Sequence, residues 1–133
     1  MSILGKGRGR SVTKIQFDVI VKRFLVFLKK ELRLNIDIPV IFIDDTNFSR
    51  KNMAFGMMTN NGVIYISIVN RHPIDILRTL AHEFVHCKQS IKGSTMKSNP
   101  GSPAENQANA KAGEIMRKYG HLHPELFDLM SIR

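Results

Sequence analysis

Apolar residues recur at two spacings along this chain, and the change of spacing marks its elements. Phe17, Ile20, Phe24, Phe27, Leu28 and Leu34 recur at helical spacing, with three- and four-residue steps from Phe17 to Ile20 to Phe24 and from Phe24 to both Phe27 and Leu28, as in a helix with one buried face. Thr13 and Gln16 just ahead of them match a capping box, so a first helix is expected over 13–34. Pro39 to Asp44 (PVIFID) reads as a short strand, with proline tolerated at its first position. Met53 to Thr59 reads as a second and weaker strand; it is short and contains Gly56, as edge strands often are. Val63 to Val69 (VIYISIV) is the third and strongest. Between the last two, Asn60-Asn61-Gly62 suits a hairpin turn, because Asn and Gly tolerate positive φ.

Helical spacing then returns. Pro73 fits a first turn, and Leu77, Ala81 and Phe84 keep one face apolar, giving a helix over 73–91 that Gly93 stops. Residues 94–103 are rich in Ser, Pro, Gly and Asn and read as a loop. Ser102-Pro103-Ala104-Glu105 looks like a helix cap, opening a third helix that ends near Gly120, and a short last helix is expected at about 124–131. The order α-β-β-β-α-α-α predicts a small α+β domain. It would have a three-stranded sheet with an edge strand, the first helix backing it and the 73–91 helix crossing it.

Length and composition narrow this only a little. The chain has 133 residues, 43% hydrophobic and 23% charged, so 13–133 is expected to fold as one domain. Residues 1–12 alternate glycine with cations and are expected to form a flexible basic arm. The longest uncharged apolar run, Pro39 to Ile43, is far too short to span a bilayer, and no secretory signal is visible. One cysteine, Cys87, allows no internal disulfide, and an intracellular (cytoplasmic) setting is expected. The net charge of +9 is concentrated in residues 1–33, which hold nine Lys/Arg and two Asp/Glu. A nucleic acid or other polyanion is one partner for such a surface; a solvated basic helix is the plainer alternative.

The chemistry sits in the 73–91 helix, which contains His82-Glu83-Phe84-Val85-His86, an HExxH sequence. A four-residue step places both imidazoles on one helix face, a few ångströms apart, as two ligands of a tetrahedral zinc ion require. Glu83 lies about 100° further round the helix, out of line with the ligands. Its carboxylate is placed to accept a proton from a water activated by the ion. The plainer alternative is two helix histidines and one exposed glutamate.

Strand, edge strand, strand and then an HExxH helix resembles the core of the zincin metallopeptidases. Cys87-Lys88-Gln89-Ser90-Ile91-Lys92 after the second histidine offers no third histidine, which sets aside the metzincin branch. The chain is more similar to the gluzincin, thermolysin-like branch, where a glutamate on the next helix is the third ligand. That resemblance implies zinc (Zn2+) held by His82, His86 and Glu105, Glu83 as general base, and hydrolysis of a peptide or protein substrate. It also puts Asn109 where the family has an aspartate that hydrogen-bonds the first histidine. Asn52-Met53-Ala54-Phe55 is similar to the family's substrate-binding Asn-Ala-Phe strand, with one residue inserted, which implies backbone pairing with an extended peptide through Asn52, Ala54 and Phe55. Ordinary strand-end and core packing is the alternative for Asn52 and Phe55.

Other readings stay open at this stage. Glu105 could simply complete a capping box with Ser102, with Glu114, His121 or His123 as the third ligand. Tyr119, His121 and His123 are candidates for a transition-state donor. His72 reads as a helix-start residue and Cys87 as a core residue. A basic nucleic-acid-associated protein with a structural or vestigial zinc site is the rival to the peptidase.

Overall fold

The computed structural model describes residues 10–48, 54–91 and 102–132. Its first helix, α1 (Lys14–Leu32), starts on the expected capping box: the Thr13 side chain accepts from the Gln16 backbone, and the Gln16 side chain accepts from the Thr13 backbone. Arg33, at φ 55°, ends it in the left-handed conformation. The buried stripe of α1 is Phe17, Val21, Phe24, Leu28 and Leu32, again at helical steps.

Three strands form one mixed sheet in the order β2–β4–β3: β2 is Val40–Ile43, β3 Gly56–Met58 and β4 Ile64–Ser67. β2 runs parallel to β4, and β3 runs antiparallel to it through the expected hairpin, in which Gly62 has φ 81°. β3 is therefore an outer strand, as its short, glycine-containing sequence suggested, although its ladder begins at Gly56 rather than at Met53. Just ahead of it, the Phe55 carbonyl accepts from the Ser67 N–H at 2.8 Å. β4 buries Ile64 and Ile66 completely and leaves Tyr65 half-buried, while Ile41 of β2 is exposed. One face of the sheet thus receives the helices and the other is more open.

The second helix, α2 (Pro73–Ile91), crosses that covered face, touching β3 and β4 as well as α1. Its buried residues run from Pro73 to Cys87 and surround much of its circumference, as befits the central element. The third, α3 (Pro103–Leu122), opens on Ser102, whose Oγ accepts from the Glu105 N–H at 3.1 Å. It makes its broadest contact with α2. Ala104, Ala108 and Ala112 are all buried along α3. Such small side chains let two helix axes approach closely. One core joins these layers, with Phe24, Leu28, Ile64, Ile66, Leu77, Leu80, Phe84 and Ile115 at its centre.

Two expectations need correcting at the chain ends. Residues 124–131 do not form an α-helix: Pro124–Asp128 is a 3-10 turn and Leu129–Ile132 is a strand, β5. The partner of β5 is β1 (Arg10–Val12), a parallel strand drawn from residues assigned to the arm. Val12 is buried, and that burial brings the end of the arm into the domain. Residues 1–9 lie outside the described residues. No described helix is long and apolar enough to cross a membrane.

Candidate metal centre

His82 and His86 point from the same face of α2, their ring centroids 4.7 Å apart. Glu105, in the first turn of α3, reaches both. Its Oε1 lies 2.8 Å from His82 Nε2 and its Oε2 lies 3.0 Å from His86 Nε2, while the two Nε2 atoms are 3.1 Å apart. Among the described residues these three side chains form a cluster fit to hold a metal ion, each offering one ligand atom within 4.8 Å of the others. Their side chains keep 18%, 10% and 20% of full exposure for His82, His86 and Glu105, so the cluster is shielded but open to solvent. Ser102 does cap α3 through the Glu105 backbone. The Glu105 side chain, however, turns to the histidines. Only the Ser102 half of the capping box forms, and the carboxylate that would complete it is engaged with His82 and His86.

The surroundings of each histidine differ. Asn109, one turn beyond Glu105, hydrogen-bonds the His82 ring. Burial holds the His82 pKa below its usual value, with the nearby Glu105 opposing that shift. His86 Nδ1 lies 2.8 Å from Oε1 of Gln89, whose Nε2 donates to the Ala104 carbonyl at 3.0 Å and to Gln107 Oε1 at 2.6 Å. The sequence reading had used Gln89 only as a residue that is not histidine. Its spacing of three from His86 on a helix was the available signal.

Glu83 is 8% exposed and belongs to the buried face of α2. Burial pushes its carboxyl up to about 7; His86 pulls the other way and the negative Glu105 adds to the rise. β3 runs directly over it. A Cβ built on Gly56 would stand 2.7 Å from Thr79 Cγ2 and 3.3 Å from Glu83 Cγ, so glycine is what allows the outer strand to lie against α2 here. Thr79 is held in turn by Arg71, whose guanidinium donates to Thr79 Oγ1 at 2.6 Å and to the Ser67 carbonyl at 2.7 Å. The same guanidinium lies 4.3 Å from the centre of the Phe55 ring. Neither Gly56 nor Arg71 was identified as a site residue from sequence, because their importance lies in close approach rather than in a motif.

Known protein families, characterised proteins and solved structures offer no match to this chain. The site therefore stands on its own geometry.

The remaining candidates lie elsewhere. Phe55 is 54% exposed and Ala54 is exposed, both just ahead of β3, so the core-packing alternative for Phe55 is set aside; Asn52 is outside the described residues. Glu114 pairs with Lys111 at 2.9 Å on the outer face of α3. Tyr119 is buried between Phe24 and Phe27, with both ring centroids at 4.9 Å. His123 stacks on Tyr119 at 4.4 Å and meets Glu125 at 3.3 Å, and His121 is exposed. From Glu105 to Tyr119 the helix rises about 21 Å, which separates these residues from the cluster. His72 Nδ1 accepts from the Ile74 N–H at 3.0 Å and its Nε2 meets the Leu129 carbonyl at 2.7 Å, joining the start of α2 to β5. Cys87 is buried, and burial raises its thiol pKa.

Proposed function

We propose that the protein is a zinc-dependent peptidase of gluzincin type, with His82, His86 and Glu105 as metal ligands and Glu83 as general base. One observation carries this reading: the three donor side chains, from two helices, converge within 4.8 Å. Two imidazoles and a carboxylate are the donor set of catalytic zinc sites that leave a fourth position for water or substrate. When bound there, zinc supplies a Lewis acid and a water that ionises near neutral pH.

The chain's own residues divide the remaining work. Glu83, one residue on from His82 and turned aside from the ligands, takes the proton of the attacking water and passes it to the leaving amine. In the metal-free protein burial raises its carboxyl to about 7, and a cation bound beside it would favour the carboxylate that accepts the proton. Among the described residues β3 is the outer strand of its sheet, and its far edge would pair with an extended peptide, with Ala54 and Phe55 at its approach. Gly56 keeps that edge against Glu83. Lys14, Lys22, Arg23 and Lys30 of α1 and Arg33 at its C-cap are exposed, a basic character suited to a polyanion contact that hydrolysis does not need.

Turnover by the Glu83→Gln protein tests the mechanism. Zinc content should match wild type, while hydrolysis of an unfolded protein such as reduced casein should fall by about 10²- to 10⁴-fold. Equal rates for the two proteins would overturn the role of Glu83.

A further inference from the structure

We infer that Gln89 is the positioning residue of this centre, setting the lone pair of one ligand and the approach of another through a single side chain. The inference rests on the metal-site reading above. It starts from the orientation of an amide. A backbone carbonyl only accepts, so the group 3.0 Å from the Ala104 oxygen must be the Gln89 nitrogen. The second hydrogen of that nitrogen goes to Gln107 Oε1, 2.6 Å away. Both donors are thereby used, and the amide oxygen is left facing His86 Nδ1 at 2.8 Å.

That oxygen accepts, so His86 Nδ1 carries the proton. With the Nδ1 proton fixed, Nε2 is the atom that donates to Glu105 Oε2 at 3.0 Å in the metal-free protein and that presents its lone pair when an ion takes that proton's place. A neutral ring of the opposite tautomer would hold its proton on Nε2 and could not ligate there. The tautomer is thus imposed from behind, on the side of the ring away from the cluster.

Gln89 also joins two helices. It stands one turn after His86 on α2, and its amide grips the first turn of α3 at Ala104, the neighbour of Glu105, and at Gln107. The contact that orients His86 is therefore continuous with the one that holds Glu105 at ligand distance. Glutamine alone supplies this set: glutamate keeps the acceptor for His86 but loses both donors, and leucine loses all three.

The test uses the full chain, with zinc affinity measured by competition against a chromophoric chelator and the visible spectrum of the Co2+-loaded protein as a second readout. Gln89→Leu should weaken zinc binding by about ten- to hundredfold, the usual cost of losing a partner behind a ligating histidine, and should alter the Co2+ spectrum. Gln89→Glu, which keeps the acceptor, should bind more tightly than Gln89→Leu and more weakly than wild type. Nitrogen-15 shifts of the metal-free wild-type protein should report His86 protonated on Nδ1. Gln89→Leu binding zinc within twofold of wild type, or a His86 Nδ1 that carries no proton in the metal-free wild type, overturns the inference. Failure of the wild type itself to bind zinc is the separate result that would overturn the metal-site reading.

Discussion

The two ends of α3 carry similar chemistry in the sequence and opposite roles in the fold. At its start, Glu105 is one-fifth exposed and touches two histidines of α2. At its end, Tyr119 is 4% exposed and closes an aromatic cluster with Phe24 and Phe27. Both ends hold residues capable of ligating metal or donating a proton. What separates them is the helix itself, which places them about 21 Å apart and on different neighbours. Alanines line the buried stripe at the start, where the helix comes close enough to α2 for Glu105 to reach both histidines. Bulky side chains line the end, where the helix closes the core against α1 and the 3-10 turn. Chemical capacity is a property of the residue type; here the role follows from which neighbour its stretch of helix packs against.

The sharpest way to break this contrast is to exchange the consequences of mutation between the two ends. Tyr119→Ala should cost about 3–5 kcal/mol of stability, the range for removing a buried aromatic, while the remaining folded protein keeps its zinc affinity. Denaturant unfolding alongside metal titration reads both. Glu105→Ala should do the reverse, weakening zinc binding by about a hundredfold or more, or roughly 3 kcal/mol, with a smaller loss of metal-free stability. His121→Ala, in the last turn of the same helix, should leave zinc affinity as it was. A loss of metal on mutating His121, or none on mutating Glu105, would put the site at the wrong end.

A pH series sharpens the comparison further, because the polar end bears an electrostatic cost that the aromatic end does not. In the metal-free folded protein the Glu83 carboxyl is raised from 4.5 to about 7, chiefly by burial. The stability tied to its protonation is complete below the unfolded-state value and is lost as pH rises through the folded one. Metal-free wild type should therefore lose about 2–3 kcal/mol relative to Glu83→Gln between roughly pH 5 and pH 8. Parallel pH–stability curves for the two proteins would show that Glu83 is not held in a desolvated state.

Much of this arrangement was legible in local pattern. The Thr13 capping box, the limits of α2 and the Asn60-Asn61-Gly62 hairpin depend on contacts within a few residues, and each is present. The pairing of His82 with His86 was legible for the same reason, since helix geometry alone puts them together. Glu105 was reached from sequence only through a family resemblance, because its distance from the histidines depends on how α3 packs. The last segment was misread because Leu129–Ile132 takes its structure from a strand more than a hundred residues earlier, and no local signal carries that pairing.

The sequence by itself determined the three long helices, the strands of the three-stranded sheet and the two imidazoles on one face, because periodicity and capping act over one or two turns. Only the tertiary structure decided which carboxylate meets them, which amide stands behind His86, and that Gly56 must lack a side chain to lie beside Glu83. Those are contacts between segments distant along the chain. They follow from helix packing distance and burial, which depend on every layer of the core at once.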